Sequence, residues 1–346
     1  MVSGRNMTDI ALKMPVGQTD NNRSNDPFSK VISSCSFVVD NARDVAIDDN
    51  ALSHFARTMP RNGKVAWQFS GRHHYTGEES LTLRYVLCIG AINFGSGYAH
   101  DLIRSVPNST YYTIASLLKD AVTLDPEIVS SQRLIALTMK EVRELFGQAG
   151  NDNPRATELM AQFRLSLNEL GHWLIDRYDD DLDAVIDDTR STHTMLQSLL
   201  RMKRFEDVSL YDNKQIYYYK RAQLLIADLA RVGREFGWWD TAGLERLTIF
   251  ADNAVAHVLR QLGVLVYSDR LAARIDAGEY LEAGERAENE IRAASVIAGN
   301  ILQKTLAAER KWSTILEIDH YLWDVSHEPE FRRPSMRRHM CRTIAY

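Results

Sequence analysis

Apolar residues recur at i, i+3, i+4 and i+7 through most of the chain, the spacing that lines one face of an α-helix. In the first half "NALSHFARTM", "YVLCIGAINF", "STYYTIASLLKDAV", "RLIALTMKEVRELF" and "ATELMAQFRLSLNELGHWLIDRY" carry it. In the second half "STHTMLQSLLRM", "AVAHVLRQL", "ENEIRAASVIAGNILQKTLAAE" and "ILEIDHYLWDV" do the same. The alternation of a strand is confined to "KVAWQFSG" and "KQIYYY". Breaks fall at 60–64, 71–80 and 147–155, where Gly, Pro, Asn and charged residues cluster. No repeat at a period of about 20–50 residues accompanies them. The pattern predicts an all-α, mostly helical fold in one compact domain over residues 31–346. A polar tail, 1–30, is expected to be disordered.

The bulk numbers narrow the function classes. The 346 residues are 45% apolar and 25% charged, an ordinary globular mix, with a net charge of −5. That balance argues against nucleic acid as the main partner. The arginine-rich C-terminus (Arg332, Arg333, Arg337, Arg338, Arg342) reads as a solvated or salt-bridged surface. Cys35, Cys88 and Cys341 are odd in number, widely spaced and free of any CxxC, which predicts a reducing compartment and no structural zinc. No apolar run reaches about 18 residues, and no apolar leader opens the chain. A cytoplasmic protein without a membrane span is expected.

Several motifs fail on their own chemistry. "GSGYAH" puts His100 at the third glycine of a dinucleotide fingerprint. "DDDLDAVIDDTR" has Ala184 and Arg190 where a calcium loop needs Gly and Glu, so a solvated acidic face is the better reading. His73–His74 has no partner at metal spacing, and neither HExxH nor GxSxG occurs. No metal is predicted.

Four segments do carry candidate chemistry. In "YYYKRAQLLIADLA", Lys220 and Arg221 open an apolar helix, and Lys220 shares a face with Leu224 and Ala227. A lysine there either snorkels to water or holds an anion in a pocket. In "LTIFADNAVAHVLRQLGVL", Asp252 or Asn253 is a natural N-cap and Gly263 suits the C′ position. Asp252 is then a cap alone, or a carboxylate facing a cleft. "ENEIRAAS" sets Arg292 among apolar positions. "IDHYLWDVSH" places Asp319 and Trp323 one turn apart, either to grip a flat polar base or as a surface acid and a core tryptophan.

Together these segments resemble the queuosine salvage family, the queuosine 5′-phosphate N-glycosylase/hydrolases. The resemblance runs from about residue 36 to the end, through "FVVDNARDVAID", "YYYKRAQLLIADL", "LTIFAD", "LRQLGVLVYSDRLAARIDAGEYL", "ENEIRAAS", "IDHYLWDVSH" and "RRHMCRTIAY", in the family's order. It implies a single helical domain similar to helix-hairpin-helix DNA glycosylases but without their DNA-binding surface. It also implies hydrolysis of queuosine 5′-monophosphate, or a related 7-deazaguanine nucleotide or nucleoside, to queuine and ribose 5-phosphate. The substrate is a small molecule and no cofactor is implied; the oligomeric state is left open. The implied catalytic residues are Asp252 and Lys220. The implied substrate-binding residues are Tyr219, Arg221, Asn93, Phe94, His257, Arg292, Asp319 and Trp323.

The chemistry suits such a set. Breaking a ribosyl C1′–N bond develops oxocarbenium-like charge that a carboxylate stabilises or attacks. A phosphate calls for a cation, for which Lys220 with Arg221 is one candidate; the alternative is that Lys220 contacts the sugar hydroxyls or Asp252 itself. The sequence departs from the family pattern after "FAD", where Tyr-Arg-x-Pro-Gln is replaced by residues 253–257. Ala254 thus stands at the arginine position and His257 at the glutamine position. Gly90 replaces an aspartate, and the stretch between Gly97 and Tyr111 is short. The alternative is therefore a non-catalytic nucleotide or modified-base binding protein on the same scaffold.

Overall fold

Helices dominate the computed structural model, which describes residues 26–60, 71–106, 109–239, 243–309, 314–333 and 335–346. In chain order they are α1 (Pro27–Asp40), α2 (Asp49–Thr58), α3 (Glu79–Ala91), α4 (Thr110–Leu124), α5 (Ser131–Ala136), α6 (Met139–Leu145) and α7 (Pro154–Tyr178). Then come α8 (Leu182–Thr189), α9 (Thr192–Leu199), α10 (Lys220–Phe236), α11 (Asn253–Gln261), α12 (Asp269–Asp276), α13 (Arg286–Ala308) and α14 (Ile315–Val325). Strands occur only as short pairs among the described residues. The pairs β1 (Val45–Ile47) with β4 (Leu265–Tyr267) and β2 (Val208–Tyr211) with β3 (Lys214–Tyr217) are antiparallel, and β5 (Tyr280–Leu281) with β6 (Met340–Cys341) is parallel. The mostly helical class read from the periodicity is the one observed. Among the described residues no helix is long and apolar enough to cross a membrane.

The helix ends follow from capping chemistry. Asp252 caps α11, and its Oδ1 accepts the N–H groups of Ala254 and Val255 at 2.9 Å each. At the other end Gly263 sits at φ +74°, with Gly263 N–H on Arg260 O and Val264 N–H on Leu259 O, a Schellman ending. Both expected ends of that helix are present.

Other expectations shift. Pro27–Lys30, assigned to the tail, belong to α1, which Asp26 caps; residues 1–25 lie outside the described ones. "RLIALTMKEVRELF" is two helices, because the Thr138–Glu141 capping box starts a new one at Met139. "KQIYYY" supplies β3, whereas most of "KVAWQFSG" lies outside the described residues. The acidic run is not simply a solvated face. Asp181 caps α8, and Asp180 pairs with Arg84 at 3.0 Å.

Two close approaches set the frame of the site. A Cβ on Gly90 would lie 2.6 Å from Leu225 Cδ1, so α3 and α10 pack with no room for a side chain there. An aspartate at 90 would collide with this contact. A Cβ on Gly299 would lie 2.8 Å from Ile249, which seats the 247–252 segment tightly on α13.

Candidate active site

A cavity of about 580 Å³ opens between the end of α3, α4, the first half of α10, the start of α11, α14 and the C-terminal segment. Lys220 is the first residue of α10 and is only 5% exposed. Tyr219 before it adopts a left-handed backbone, φ 52°. That turn is held by Asp207, whose carbonyl accepts Tyr218 and Tyr219 N–H and whose Oδ2 accepts Lys220 N–H at 3.0 Å. A buried ammonium at the positive end of a helix is unfavourable twice over. Burial pushes its pKa down. Its compensation is Asp252, whose Oδ2 lies 4.0 Å from Lys220 Nζ.

Asp252 therefore does two things at once. One oxygen caps α11, and the other meets Lys220 at the cavity wall, where the side chain is 17% exposed. Asp319, 8% exposed, lines the same wall and accepts Phe250 N–H at 2.8 Å. Burial first, and then the charge of Asp252, push its pKa well up, which favours the protonated acid. Further along, Asp228 is raised to about 6 by burial, against the pull of Arg231 at 3.1 Å and of Lys220.

Aromatic rings form another part of the wall. The Trp323 ring centroid lies 6.4 Å from Tyr111, 6.0 Å from Tyr112 and 4.4 Å from His327. Asn93 and Phe94, at the end of α3, also line the cavity. Of the residues expected at a site, Lys220, Asp252, Asn93, Phe94, Asp319 and Trp323 are brought together here.

Tyr219, Arg221, His257 and Arg292 are not part of the cavity lining. Arg221 points the other way from Lys220. It donates to the carbonyls of Ala91, Arg204 and Ile344 and stacks on Phe94 and Phe205 at 4.5 and 4.8 Å. Committed to those acceptors, it is not placed as a phosphate ligand. His257 Nε2 meets Phe331 O at 2.8 Å, and its pKa falls to about 4, chiefly through burial. Arg292 lies behind the wall, where its Nε donates to the carbonyl of Ala251, and the Tyr219 ring packs against Tyr217 at 5.7 Å.

The structure adds residues that the spacing had not singled out. Asp228 and Arg231 share the cavity stripe of α10 with Lys220 and Leu224, so polar residues at that spacing were the available signal. His74 reaches the wall and contacts Tyr111 Oη at 3.0 Å. Arg338 turns out of the arginine-rich C-terminus into the cavity, within reach of Asp252's charge. Nothing in its local sequence separates it from Arg337, whose backbone N–H bonds Asp276.

The family model described as queuosine salvage protein matches residues 73–346. The chain belongs to the queuosine salvage family. It is 26% identical to the queuosine 5′-phosphate N-glycosylase/hydrolase of Mus musculus over 333 residues, 90% of this chain and 97% of that protein. It is 28% identical to the protein of the same name from Sphaerobacter thermophilus over 325 residues, 91% of this chain and 97% of that one. The Dictyostelium discoideum protein of that name is 29% identical over 249 residues, 70% and 72% of the two chains. In this family member, Ala254 and Arg338 both line the cavity beside Asp252.

Proposed function

We propose that this chain hydrolyses the N-glycosidic bond of queuosine 5′-phosphate and releases queuine and ribose 5-phosphate, for queuine salvage and tRNA modification. The observation that carries this reading is the Lys220–Asp252 pair, 4.0 Å apart in the wall of a nucleotide-sized cavity. The names of the relatives support it.

In the reaction the C1′–N bond breaks and its electron pair leaves with the base; water adds to C1′, and one proton of that water ends on the base nitrogen. Asp252 sets a negative charge against the oxocarbenium-like sugar, and Lys220 orients that carboxylate. A 7-deazapurine lacks N7, an easy protonation site in purines, so the sugar side carries most of the stabilisation. Asp319, whose burial favours the protonated acid, donates a hydrogen bond to the departing base. Tyr111, Tyr112 and Trp323 enclose the flat ring. Arg338 and His327, which both feel Asp252, receive the 5′-phosphate in place of Arg221.

This reading makes the partner a small molecule rather than nucleic acid. Arg342 pairs with Asp101 and Arg338 faces the cavity, so the C-terminal arginines do not form one outward surface. Three buried free thiols suit a reducing, cytoplasmic setting. A binding-only role has Ala254 in its favour, since the family's arginine is missing there; the intact Lys220–Asp252 pair favours turnover. Incubation with queuosine 5′-phosphate, followed by chromatography, is expected to show queuine and ribose 5-phosphate in equal amounts. Thermal stabilisation by the nucleotide with no release would establish the binding-only role instead.

A further inference from the structure

Behind the Lys220–Asp252 wall, and outside the cavity lining, lies a second buried pair. Arg292, 3% exposed, grips Asp207 with both arms of its guanidinium, Nη1 to Oδ1 at 2.9 Å and Nη2 to Oδ2 at 2.6 Å. Its Nε donates to the carbonyl of Ala251 at 3.2 Å, immediately before Asp252. Asp207 in turn takes the backbone N–H of Lys220 and, through its carbonyl, the N–H groups of Tyr218 and Tyr219. One guanidinium thus reaches the backbone beneath both members of the wall. The Tyr218 ring lies 3.8 Å below it, and Glu288 stands 3.7 Å from its Nε.

We propose that Arg292 and Asp207 form one positioning element that sets the separation of Lys220 and Asp252. This rests on the reading that those two residues do the chemistry. Neither Arg292 nor Asp207 touches the substrate space. Their effect is exerted through the backbone of residues 219–220 and 251–252. A buried ion pair is replaceable by apolar residues as far as stability goes. What an apolar pair cannot supply is the acceptor that holds the left-handed Tyr219 turn and the donor that fixes Ala251. A non-glycine residue at φ 52° needs such a hold.

The test uses Asp207→Asn, the double replacement Asp207→Leu with Arg292→Met, and a control at another buried pair. Arg260–Asp276, 2.8 Å apart and outside the cavity lining, serves through Arg260→Met with Asp276→Leu. For each folded variant, kcat and KM with queuosine 5′-phosphate are measured, together with amide hydrogen exchange over 217–223 and 249–255. Asp207→Asn is expected to lower kcat about 100-fold, the scale of a small misplacement at a reacting centre, with KM within about threefold. It is also expected to speed exchange in both segments, although Asp207 touches only the first. The double replacement is expected to melt near the wild type and still lose kcat, whereas the control pair keeps it.

A folded Asp207→Asn or Asp207→Leu with Arg292→Met variant with unchanged kcat, or with unchanged exchange over 249–255, overturns the proposal. If Asp207→Asn does not fold, the double replacement carries the test. If the wild type releases no queuine, the functional reading fails separately. Exchange over 249–255 then decides the positioning claim alone.

Discussion

Lys220 and Arg221 are neighbours with the same charge at the same helix end, and they face two different regions of the molecule. Lys220 turns to the cavity, where a carboxylate waits 4.0 Å away. Arg221 turns to the packed side, where its two terminal nitrogens donate to the carbonyls of residues 91, 204 and 344. One residue along a helix is a rotation of about 100°, enough to separate a cavity wall from a core. The comparison shows that burial of a cation does not by itself mark a site. What marks one is a buried cation whose partner is also open to a cavity.

Substitutions at the two positions should therefore part company. Of these two, Lys220→Met is expected to have the larger effect on turnover, with kcat lowered about 1,000-fold, within the range for losing a key electrostatic group. Its melting temperature should hold or rise, because a buried ammonium at a positive helix end is gone. Arg221→Met should do the reverse. Three stranded carbonyls and a lost buried charge network should cost about 3 kcal/mol of stability in a denaturant titration, with kcat within about tenfold. Equal loss of turnover in the two variants would break the comparison.

Acid extends it to other buried groups. His257 and His339 are both buried, and burial lowers their pKa from 6.5 to about 4 and about 3. A lowered histidine favours folding above pH 6.5, and that stability drains away as pH falls toward the folded value. Each group should cost about 2 kcal/mol by about pH 5. His257→Gln should remove one such share of the pH dependence, measured by denaturant titration at the two ends of that window. The smallest expected effect is at the phosphate end. Arg338→Ala should raise KM for queuosine 5′-phosphate about tenfold, the size of one charged contact, and leave KM for the unphosphorylated nucleoside unchanged.

Much of this arrangement was legible along the chain. The period of 3.6 located α7, α11, α13 and α14, and capping chemistry gave both ends of α11. Asp319 and Trp323, one turn apart, do share the cavity wall. What failed was information that no local stretch holds. Arg221 and Arg292 find their partners 130 and 85 residues away, so the same sequence context fits a ligand-binding arginine and a structural one. His257 is fixed by Phe331, 74 residues on. Asp228 and Arg231 were within reach, as polar positions on the Lys220 stripe. Arg338 was not, since it becomes distinct from its neighbours only when the C-terminal segment closes the cavity.

The most direct test of the central claim compares wild type with Asp252→Asn for queuine released from queuosine 5′-phosphate. Asparagine caps a helix about as well as aspartate, so this change removes the charge and keeps the cap. The account predicts release by the wild type, a drop of at least about 1,000-fold in the variant, and similar melting temperatures for both. Release by Asp252→Asn at the wild-type rate would contradict it, leaving Asp252 a helix cap and nothing more.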